Sequence, residues 1–288
     1  MSDLEIVFWD VQHGHAAYIK TPNGKSIAID LGTGSNSEGD NFSPLKHLRT
    51  KYKVLNLDYV IITHPHLDHI SDILEFDALN PTTLLTPRKF DREDIIDKAK
   101  ESDKPKYEKY FEICDRYTVD VKTTDSNYKG NPDNWGGVVI KTFSPKFTDE
   151  KNINNYSIVT ALEYAGSKIV IPGDNEPKSW ELVKKDSNFM AFIKDSDILL
   201  APHHGRDSGY DIEIMKHINP RLTVISDGRF VDTSATSRYG NITRKWTVHK
   251  RTGTDEKRAC VTTRSDGVIV IKFGQNSNGN SFIDVRID

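Results

Sequence analysis

The segment that most constrains the fold is a turn rich in metal-ligand side chains that follows an apolar strand. Residues 57–63 form an apolar run typical of a strand covered on both faces, followed at once by His64, His66, Asp68 and His69. Imidazole and carboxylate are the side chains that bind zinc and similar divalent ions. One histidine alone would indicate a core or surface residue. Four potential ligand residues within six positions predict a metal site that can bind two neighbouring ions.

Further ligand types stand where other apolar strands end. Asp174 ends the strand KIVIPGD, and His203 and His204 end the strand of DILLAPHHG, in each case beside a glycine that gives the backbone freedom. Taken alone, the aspartate would be a turn residue and the histidine pair a hydrogen-bonded loop. Strand ends that face one edge of a sheet converge, so these residues are predicted to join the first cluster.

The order of segments predicts a sandwich of two sheets flanked by helices. Two strand-rich halves alternate with helices predicted near 44–53, 69–79, 176–193 and 209–218, and Asn23–Gly24 predicts a two-residue hairpin turn. We expect one domain over 1–288, and we expect the charged segment 90–130 to be a helical surface insertion.

Composition excludes several classes of protein. The chain has 39 Lys and Arg against 42 Asp and Glu, so its net charge of -3 creates no global field for nucleic acid. No export segment or membrane span is predicted from the sequence, which favours a cytoplasmic protein. Cys114 and Cys260 are predicted to be reduced thiols that pack in the interior.

Three of these motifs resemble those of the metallo-β-lactamase superfamily: THPHLDH at 63–69, IVIPGD at 169–174 and LLAPHHG at 199–205. More narrowly, DVQHGHA at 10–16 and IDLG at 29–32 are similar to segments of the ComEC competence-protein hydrolase domain and its stand-alone relatives. SRYGN at 237–241 and TTRSDGVIVI at 262–271 are similar to further segments of that group.

This resemblance implies an α/β fold, an αββα sandwich, with a two-metal site at one edge. His64 and His66 would bind one ion, Asp68, His69 and His204 the other, and Asp174 would bridge them. His203 remains an alternative to His204, and Asp68 and Asp174 are the predicted catalytic carboxylates. Zinc is the expected metal and manganese the alternative. The superfamily usually has another histidine ligand before the aspartate motif, whereas residues 152–159 have none, as in ComEC-like proteins.

Topology predicts where the unusual loop DVQHGHA lies. A right-handed βαβ crossover puts Asp30 and His64 at one edge, and the preceding hairpin brings His13 and His15 there too. Asp30 is predicted to orient a ligand histidine, with direct metal binding as the alternative. His13 and His15 are either solvated loop residues, or contacts to substrate or auxiliary groups for proton transfer. Asn155, Tyr239 and Arg264, in segments of the resemblance, are further candidate substrate contacts.

These features favour a metal-dependent phosphodiesterase or nuclease that uses a water activated between two ions. Residues 238–258 mix cations with Tyr239 and Trp246, a pattern that can hold single-stranded nucleic acid or can be a solvated loop. A lactonase or amidase is one alternative. Another is a sensing module that binds a protein partner through 90–130.

Overall fold

The structure, a computed structural model, describes residues 2–35, 41–147, 150–228 and 234–288, and this part of the chain contains seventeen strands and nine α-helices. The strands are β1 (Leu4–Phe8), β2 (Ala16–Lys20), β3 (Ser26–Leu31), β4 (Gly34–Ser35), β5 (Asn41–Phe42), β6 (Tyr59–Ile61), β7 (Leu84–Leu85), β8 (Val139–Phe143), β9 (Val159–Tyr164), β10 (Ser167–Ile171), β11 (Ile198–Leu200), β12 (Leu222–Ile225), β13 (Trp246–Lys250), β14 (Asp255–Arg258), β15 (Cys260–Thr262), β16 (Ile269–Gln275) and β17 (Ser281–Ile287).

The helices are shorter than the periodicity predicts. They are α1 (Pro44–His47), which continues as a π-helical turn (Leu48–Tyr52), α2 (Leu67–Ile70), α3 (Arg92–Ile96), α4 (Lys104–Arg116), α5 (Pro177–Val183), α6 (Ser187–Ile193), α7 (Ile212–Ile218), α8 (Thr236–Ile242) and α9 (Thr263–Asp266). Single 3-10 segments occur at Ile73–Leu79, Pro132–Trp135, Ile153–Tyr156, His203–Gly205 and Asp207–Gly209. The helix expected over 176–193 is two helices, because Asp186 caps the second one by accepting two backbone N–H groups.

Two sheets form the centre of the molecule. The larger has the order β14-β13-β17-β16-β1-β2-β3-β6-β7, and the smaller has the order β15-β12-β11-β10-β9-β8. Alternate apolar residues of both sheets meet in one buried layer, for example Ile6 and Ile29 from the larger sheet and Ile169 and Leu200 from the smaller. The core of the sandwich therefore lies between the two sheets.

Helices cover the outer face of each sheet. Val7 and Val60 of the larger sheet share a buried cluster with Leu45 and Tyr110, and residues of the smaller sheet share another with Trp180 and Met215 of α5 and α7. The arrangement is the predicted αββα sandwich.

The predicted hairpin and crossover are both present. The β2–β3 loop has three residues instead of two, because Thr21 and Lys25 still pair and Gly24 takes a left-handed φ of 87°. Strands β3 and β6 then run parallel, with Ile29 opposite Ile61, as the βαβ prediction requires.

The segment 90–130, predicted as a helical surface insertion, contains two helices and a stretch of turns. Helix α3 ends at Ile96 and helix α4 ends at Arg116. Residues 117–131 contain turns without a helix. Tyr110 and Ile113 of α4 are buried against the larger sheet, so this part of the segment is a packed layer of the sandwich.

The basic segment 238–258 contains regular structure that the sequence pattern did not reveal. Strands β13 and β14 form a hairpin that ends the larger sheet, and the end of α8 precedes them. In β13 only Val248 is fully buried, so the apolar alternation that identifies a strand is missing.

Candidate metal centre

The larger sheet places the first group of ligand types at the carboxyl ends of β3 and β6. Asp30 is in β3, and its Oδ1 accepts the backbone N–H of Thr63, which follows β6, at 2.7 Å. The chain then turns through His64 and His66 into α2, which carries Asp68 and His69. Parallel pairing of β3 with β6 therefore fixes the position of the whole turn.

The smaller sheet supplies the second group from two neighbouring parallel strands, β10 and β11. Asp174 follows β10, His203 and His204 follow β11, and the N–H of His203 donates to Gly173 O at 3.2 Å. Gly173 has a φ of 61°, and a Cβ there would lie 2.9 Å from the Cβ of Thr63. The two sheets approach so closely at this edge that glycine is required.

Four side chains form a compact cluster. The Nε2 of His204 lies 3.4 Å from His69 Nε2, 3.3 Å from Asp174 Oδ2 and 3.2 Å from Asp68 Oδ2. The Nε2 of His69 lies 3.3 Å from Asp174 Oδ1 and 4.0 Å from Asp68 Oδ2. Ligands about 2.0–2.1 Å from one tetrahedral ion stand about 3.3 Å apart, so the donor atoms fit a zinc-like ion.

A second group shares Asp174 with the first. The Nε2 of His64 lies 3.8 Å from Asp174 Oδ2 and 3.0 Å from His66 Nδ1. Two ring nitrogens that face each other at this distance require a shared proton or a shared cation. The group offers three donors, one fewer than the first, and the two groups together contain the six residues predicted as ligands.

The charge balance of the cluster also favours a bound cation. Burial lowers the pKa of His69, but Asp174, Asp30 and Asp68 outweigh it and hold that pKa well above its usual value. Burial likewise acts against a charge on His204, yet Asp174 and Asp68 raise its pKa to about 9. The carboxylates thus favour positive charge in the space between them and the two imidazoles. A divalent ion provides that charge and is bound by imidazole and carboxylate together.

Asp30 lies behind the cluster and contacts two histidines. Its Oδ2 is 2.8 Å from His69 Nδ1, 3.0 Å from His15 Nδ1 and 2.9 Å from the Thr63 hydroxyl. Burial would raise the pKa of Asp30, but His69 and His15 outweigh it and lower that pKa. Accepting from His69 Nδ1 leaves Nε2 directed at the cluster, the orienting arrangement predicted for Asp30.

The loop DVQHGHA lies beside the cluster as the topology predicts, but its two histidines have different positions. His15 is only 2% exposed and contacts Asp30, so the prediction that it contacts substrate is wrong. His13 has a side chain that is 46% exposed, and its Nε2 lies 3.7 Å from Asp68 Oδ2. Only His13 of this pair is placed to meet a substrate.

Ser157 is a site residue that the sequence did not identify. Its Oγ lies 3.2 Å from His64 Nδ1 and accepts the backbone N–H of Asp174 at 3.0 Å. It therefore connects one ligand residue from each sheet. In the sequence, residues 152–159 are notable only because they contain no histidine, so a contact from this serine is not predicted.

His203 is held away from the cluster by other partners. Its Nδ1 lies 2.8 Å from Ser208 Oγ and 3.2 Å from Glu176 Oε1, whereas its Nε2 is 3.9 Å from Asp174 Oδ2. His204 lies within 3.4 Å of three ligand residues, and its Nδ1 donates to Ser226 O at 3.1 Å. The geometry supports His204 over His203.

The remaining candidate substrate contacts lie outside the cluster. Tyr239 is fully buried and its hydroxyl donates to Arg206 O at 3.4 Å, so its prediction as a substrate contact is wrong. Asn155 is 2% exposed and has no described contact with a ligand residue. Arg264 Nη1 lies 3.5 Å from Asp227 Oδ2. Asp227 directly follows Ser226, whose carbonyl accepts from His204.

The two rings of the basic segment pack into the fold, Tyr239 fully and Trp246 in part. Trp246 packs against the core, donates from Nε1 to Ile283 O and carries Arg221 over its ring. Lys250 lies 2.7 Å from Glu256, and Arg238 lies 2.7 Å from Asp207. Arg244, Lys245 and Arg251 are exposed and Trp246 is partly buried, so binding of single strands by this segment stays a prediction.

A cleft of 710 Å³ lies between the 90–130 segment and the loop before the 3-10 segment Ile153–Tyr156. Tyr107 on one wall interacts with the backbone of Leu67, between His66 and Asp68. Lys89, Lys98 and Lys151 also line the cleft, together with carboxylates such as Asp94. One wall of the cleft therefore contacts the backbone of the turn that carries His66 and Asp68.

The described part of the chain contains no helix that is long and apolar enough to cross a membrane.

Comparison with known proteins gives one extended family match. The profile described as "Metallo-beta-lactamase superfamily" matches residues 10–210. "ComE operon protein 3" of Bacillus subtilis is 24% identical over 240 residues, which are 79% of this chain and 29% of that protein. "UPF0173 metal-dependent hydrolase SSO0099" of Saccharolobus solfataricus is 36% identical over 72 residues, 25% of this chain and 29% of that protein. The chain thus spans less than a third of either relative.

Among solved structures, a long form RNase Z from yeast is 13% identical, with a TM-score of 0.46, over 93% of this chain and 42% of that one.

Proposed function

The chain belongs to the metallo-β-lactamase superfamily, whose members include metal-dependent hydrolases, and from that premise we propose that it is a phosphodiesterase that works with divalent ions. Zinc is the proposed metal and manganese the alternative. The observation that carries the proposal is the cluster in which His204 lies within 3.4 Å of His69, Asp174 and Asp68.

The side chains have separable roles in this proposal. His69, His204 and Asp68 would hold one ion, His64 and His66 another, and Asp174 would be shared. Ions held there would supply the Lewis acidity that makes water nucleophilic at neutral pH and polarises the bond to be broken.

Residues behind the ligands keep these donors in place. Asp30 keeps the proton of His69 on Nδ1, so that Nε2 remains a donor atom for a metal. Ser157 fixes His64 and the backbone of Asp174 in the same way.

Two observations support a phosphodiester as substrate. Two adjacent cation sites can stabilise both the attacking and the leaving oxygen of an in-line displacement, and this suits a phosphodiester. The similarity to ComE operon protein 3 extends over 79% of this chain. DNA and RNA are therefore the proposed polymeric substrates.

A substrate panel tests the proposal. Purified protein supplied with Zn²⁺ or Mn²⁺ would be assayed on bis(p-nitrophenyl) phosphate, single- and double-stranded DNA, RNA, nitrocefin and an acyl lactone. We expect metal-dependent turnover of the phosphodiesters. Asp68→Asn and Asp174→Asn should abolish it, because each variant removes a ligand charge from the cluster.

The matched control is Asp195→Asn, a surface carboxylate that accepts from Asn219 and should leave turnover unchanged. Turnover of only nitrocefin or the lactone would reject the phosphodiesterase and favour an acyl hydrolase. Metal binding without turnover of any substrate would favour a sensing module.

A further inference from the structure

The loop after the histidine pair carries an arginine beside the open side of the cluster. His203, His204 and Gly205 all have left-handed φ values, 49°, 54° and 74°, so the chain turns sharply and brings Arg206 back towards the site. The backbone of Arg206 is tied to that turn, since its N–H donates to His203 O at 2.9 Å and its carbonyl accepts from Tyr239. The backbone that carries the guanidinium is thus fixed by two hydrogen bonds.

Two imidazole nitrogens contact the guanidinium of Arg206. Its Nη1 lies 3.3 Å from His203 Nε2, and its Nη2 lies 3.1 Å from His13 Nε2. Arginine has no acceptor, so in both contacts the guanidinium donates and the histidine nitrogen accepts. His13 and His203 therefore hold the guanidinium between them.

This arrangement lies on the side of the cluster that solvent reaches. The side chains of His69, Asp174 and His204 are 1%, 6% and 2% exposed, whereas those of Asp68 and His13 are 26% and 46% exposed. The ring of His13 lies 4.7 Å from the ring of His204. A substrate that approaches the exposed side of Asp68 therefore meets His13 and the guanidinium that it contacts.

The chemistry of this position selects for anions. A guanidinium keeps its charge at every physiological pH and presents parallel N–H donors that match two oxygens of a phosphate. A neutral imidazole nitrogen is a weaker partner for it than a phosphate oxygen. An arriving phosphodiester would offer its non-bridging oxygens to the arginine while its phosphorus faces the cluster.

We propose that Arg206 binds a non-bridging oxygen of the substrate phosphate and that His13 positions Arg206 for this contact. This inference rests on the proposed function and specifies its substrate class. Negative charge on those oxygens grows during attack at phosphorus, so the contact strengthens towards the transition state. Arg206 thereby favours phosphodiesters over uncharged esters.

The test compares Arg206→Gln and Arg206→Lys with wild type. Turnover of bis(p-nitrophenyl) phosphate and of p-nitrophenyl acetate is measured, together with the inhibition constant of inorganic phosphate and the metal content. We expect Arg206→Gln to lower kcat/KM for the phosphodiester about 100-fold, the usual loss for one donor to a developing anion. The inhibition constant of phosphate should rise about tenfold. Acetate turnover and metal content should stay within about twofold.

Arg206→Lys should restore part of the phosphodiester activity, because it keeps the charge but loses the fork of donors. The matched control is Arg238→Gln, which removes an arginine paired with Asp207 on the surface and should change none of these values. His13→Gln should raise the inhibition constant less than Arg206→Gln does.

An unchanged inhibition constant for phosphate in Arg206→Gln would overturn the proposal. Equal loss of both activities together with loss of metal would also overturn it and assign Arg206 a structural role. If wild type cleaves the acetate and not the phosphodiester, the proposed function fails. The effect of Arg206→Gln on phosphate inhibition of acetate cleavage then still decides the anion site.

Discussion

Replacing Asp30 by Asn should weaken metal binding without removing any metal ligand. The Oδ2 of Asp30 lies 2.8 Å from His69 Nδ1 and 3.0 Å from His15 Nδ1, and its Oδ1 accepts the N–H of Thr63 at 2.7 Å. An amide places an NH₂ group at one of these two oxygen positions. In either orientation a donor faces a donor, which the buried carboxylate avoids.

The magnitude follows from which contact is lost. If the NH₂ group faces His69, the histidine must move its proton to Nε2, the atom that faces Asp174 and His204. Loss of such an orienting partner weakens metal affinity by about 10–100-fold, or about 1.4–2.8 kcal/mol. A buried donor left without an acceptor also costs about 1–3 kcal/mol of metal-free stability.

Competition with a chromophoric chelator measures the Zn²⁺ affinity, and urea unfolding of the metal-free protein measures the stability. Asp58→Asn is the matched control. Asp58 accepts the N–H of Ser26 at 2.9 Å at the opposite end of the same pair of strands, so its replacement should change metal affinity less than about twofold. Wild-type affinity in Asp30→Asn, or an equal loss in both variants, would refute the orienting role.

Two further substitutions test the pH response and the basic segment. Burial raises the pKa of Asp72 from 3.8 to about 7, although hydrogen bonds from Ser43 and Leu45 act to lower it. The folded state therefore favours the protonated carboxyl group, and the free energy of unfolding should fall as the pH rises from about 4 to 7. Asp72→Asn should therefore gain about 2 kcal/mol over wild type between pH 5.5 and 7 in urea unfolding, and a constant difference would contradict this assignment. Trp246→Ala should lower the unfolding free energy by about 2 kcal/mol and leave the affinity for single-stranded DNA unchanged, because the ring packs on the core. Weaker DNA binding at unchanged stability would show that the ring stacks on bases.

Much of the site could be predicted because metal ligands follow strands. Each ligand residue of the cluster stands just after an apolar strand or within the turn that follows it, and parallel pairing of β3 with β6 and of β10 with β11 brings those ends together. The periodicity that identifies the strands therefore also identifies the edge at which the ligands meet. The αββα sandwich follows from the same segments.

Contacts made by uncharged or buried residues could not be predicted in this way. Ser157 becomes a site residue only because the end of the 3-10 segment Ile153–Tyr156 lies next to His64, and no local pattern distinguishes it from other serines. His15 was predicted to lie near the cluster, but its burial depends on the packing of the loop. The choice between His203 and His204 depends on the left-handed turn that directs one ring to Ser208 and the other to the cluster.

The two strands at one edge of the larger sheet, β13 and β14, could not be predicted from the sequence either. Strands at an edge bury few residues, and β14 has exposed side chains at Asp255, Glu256 and Lys257. Its charges pair across the hairpin, as Lys250 does with Glu256, instead of alternating with apolar residues. The charged pattern of that segment therefore does not indicate the two strands of the edge hairpin.

The central claim is tested most directly by a crystal structure of the protein with Zn²⁺. Diffraction data collected on both sides of the zinc absorption edge would give anomalous difference maps that locate the ions. We predict two zinc peaks per chain, one bonded to Asp68, His69 and His204 and one bonded to His64 and His66, with Asp174 in contact with both. A map without a peak at these residues, or with its only peak elsewhere on the chain, would contradict the account.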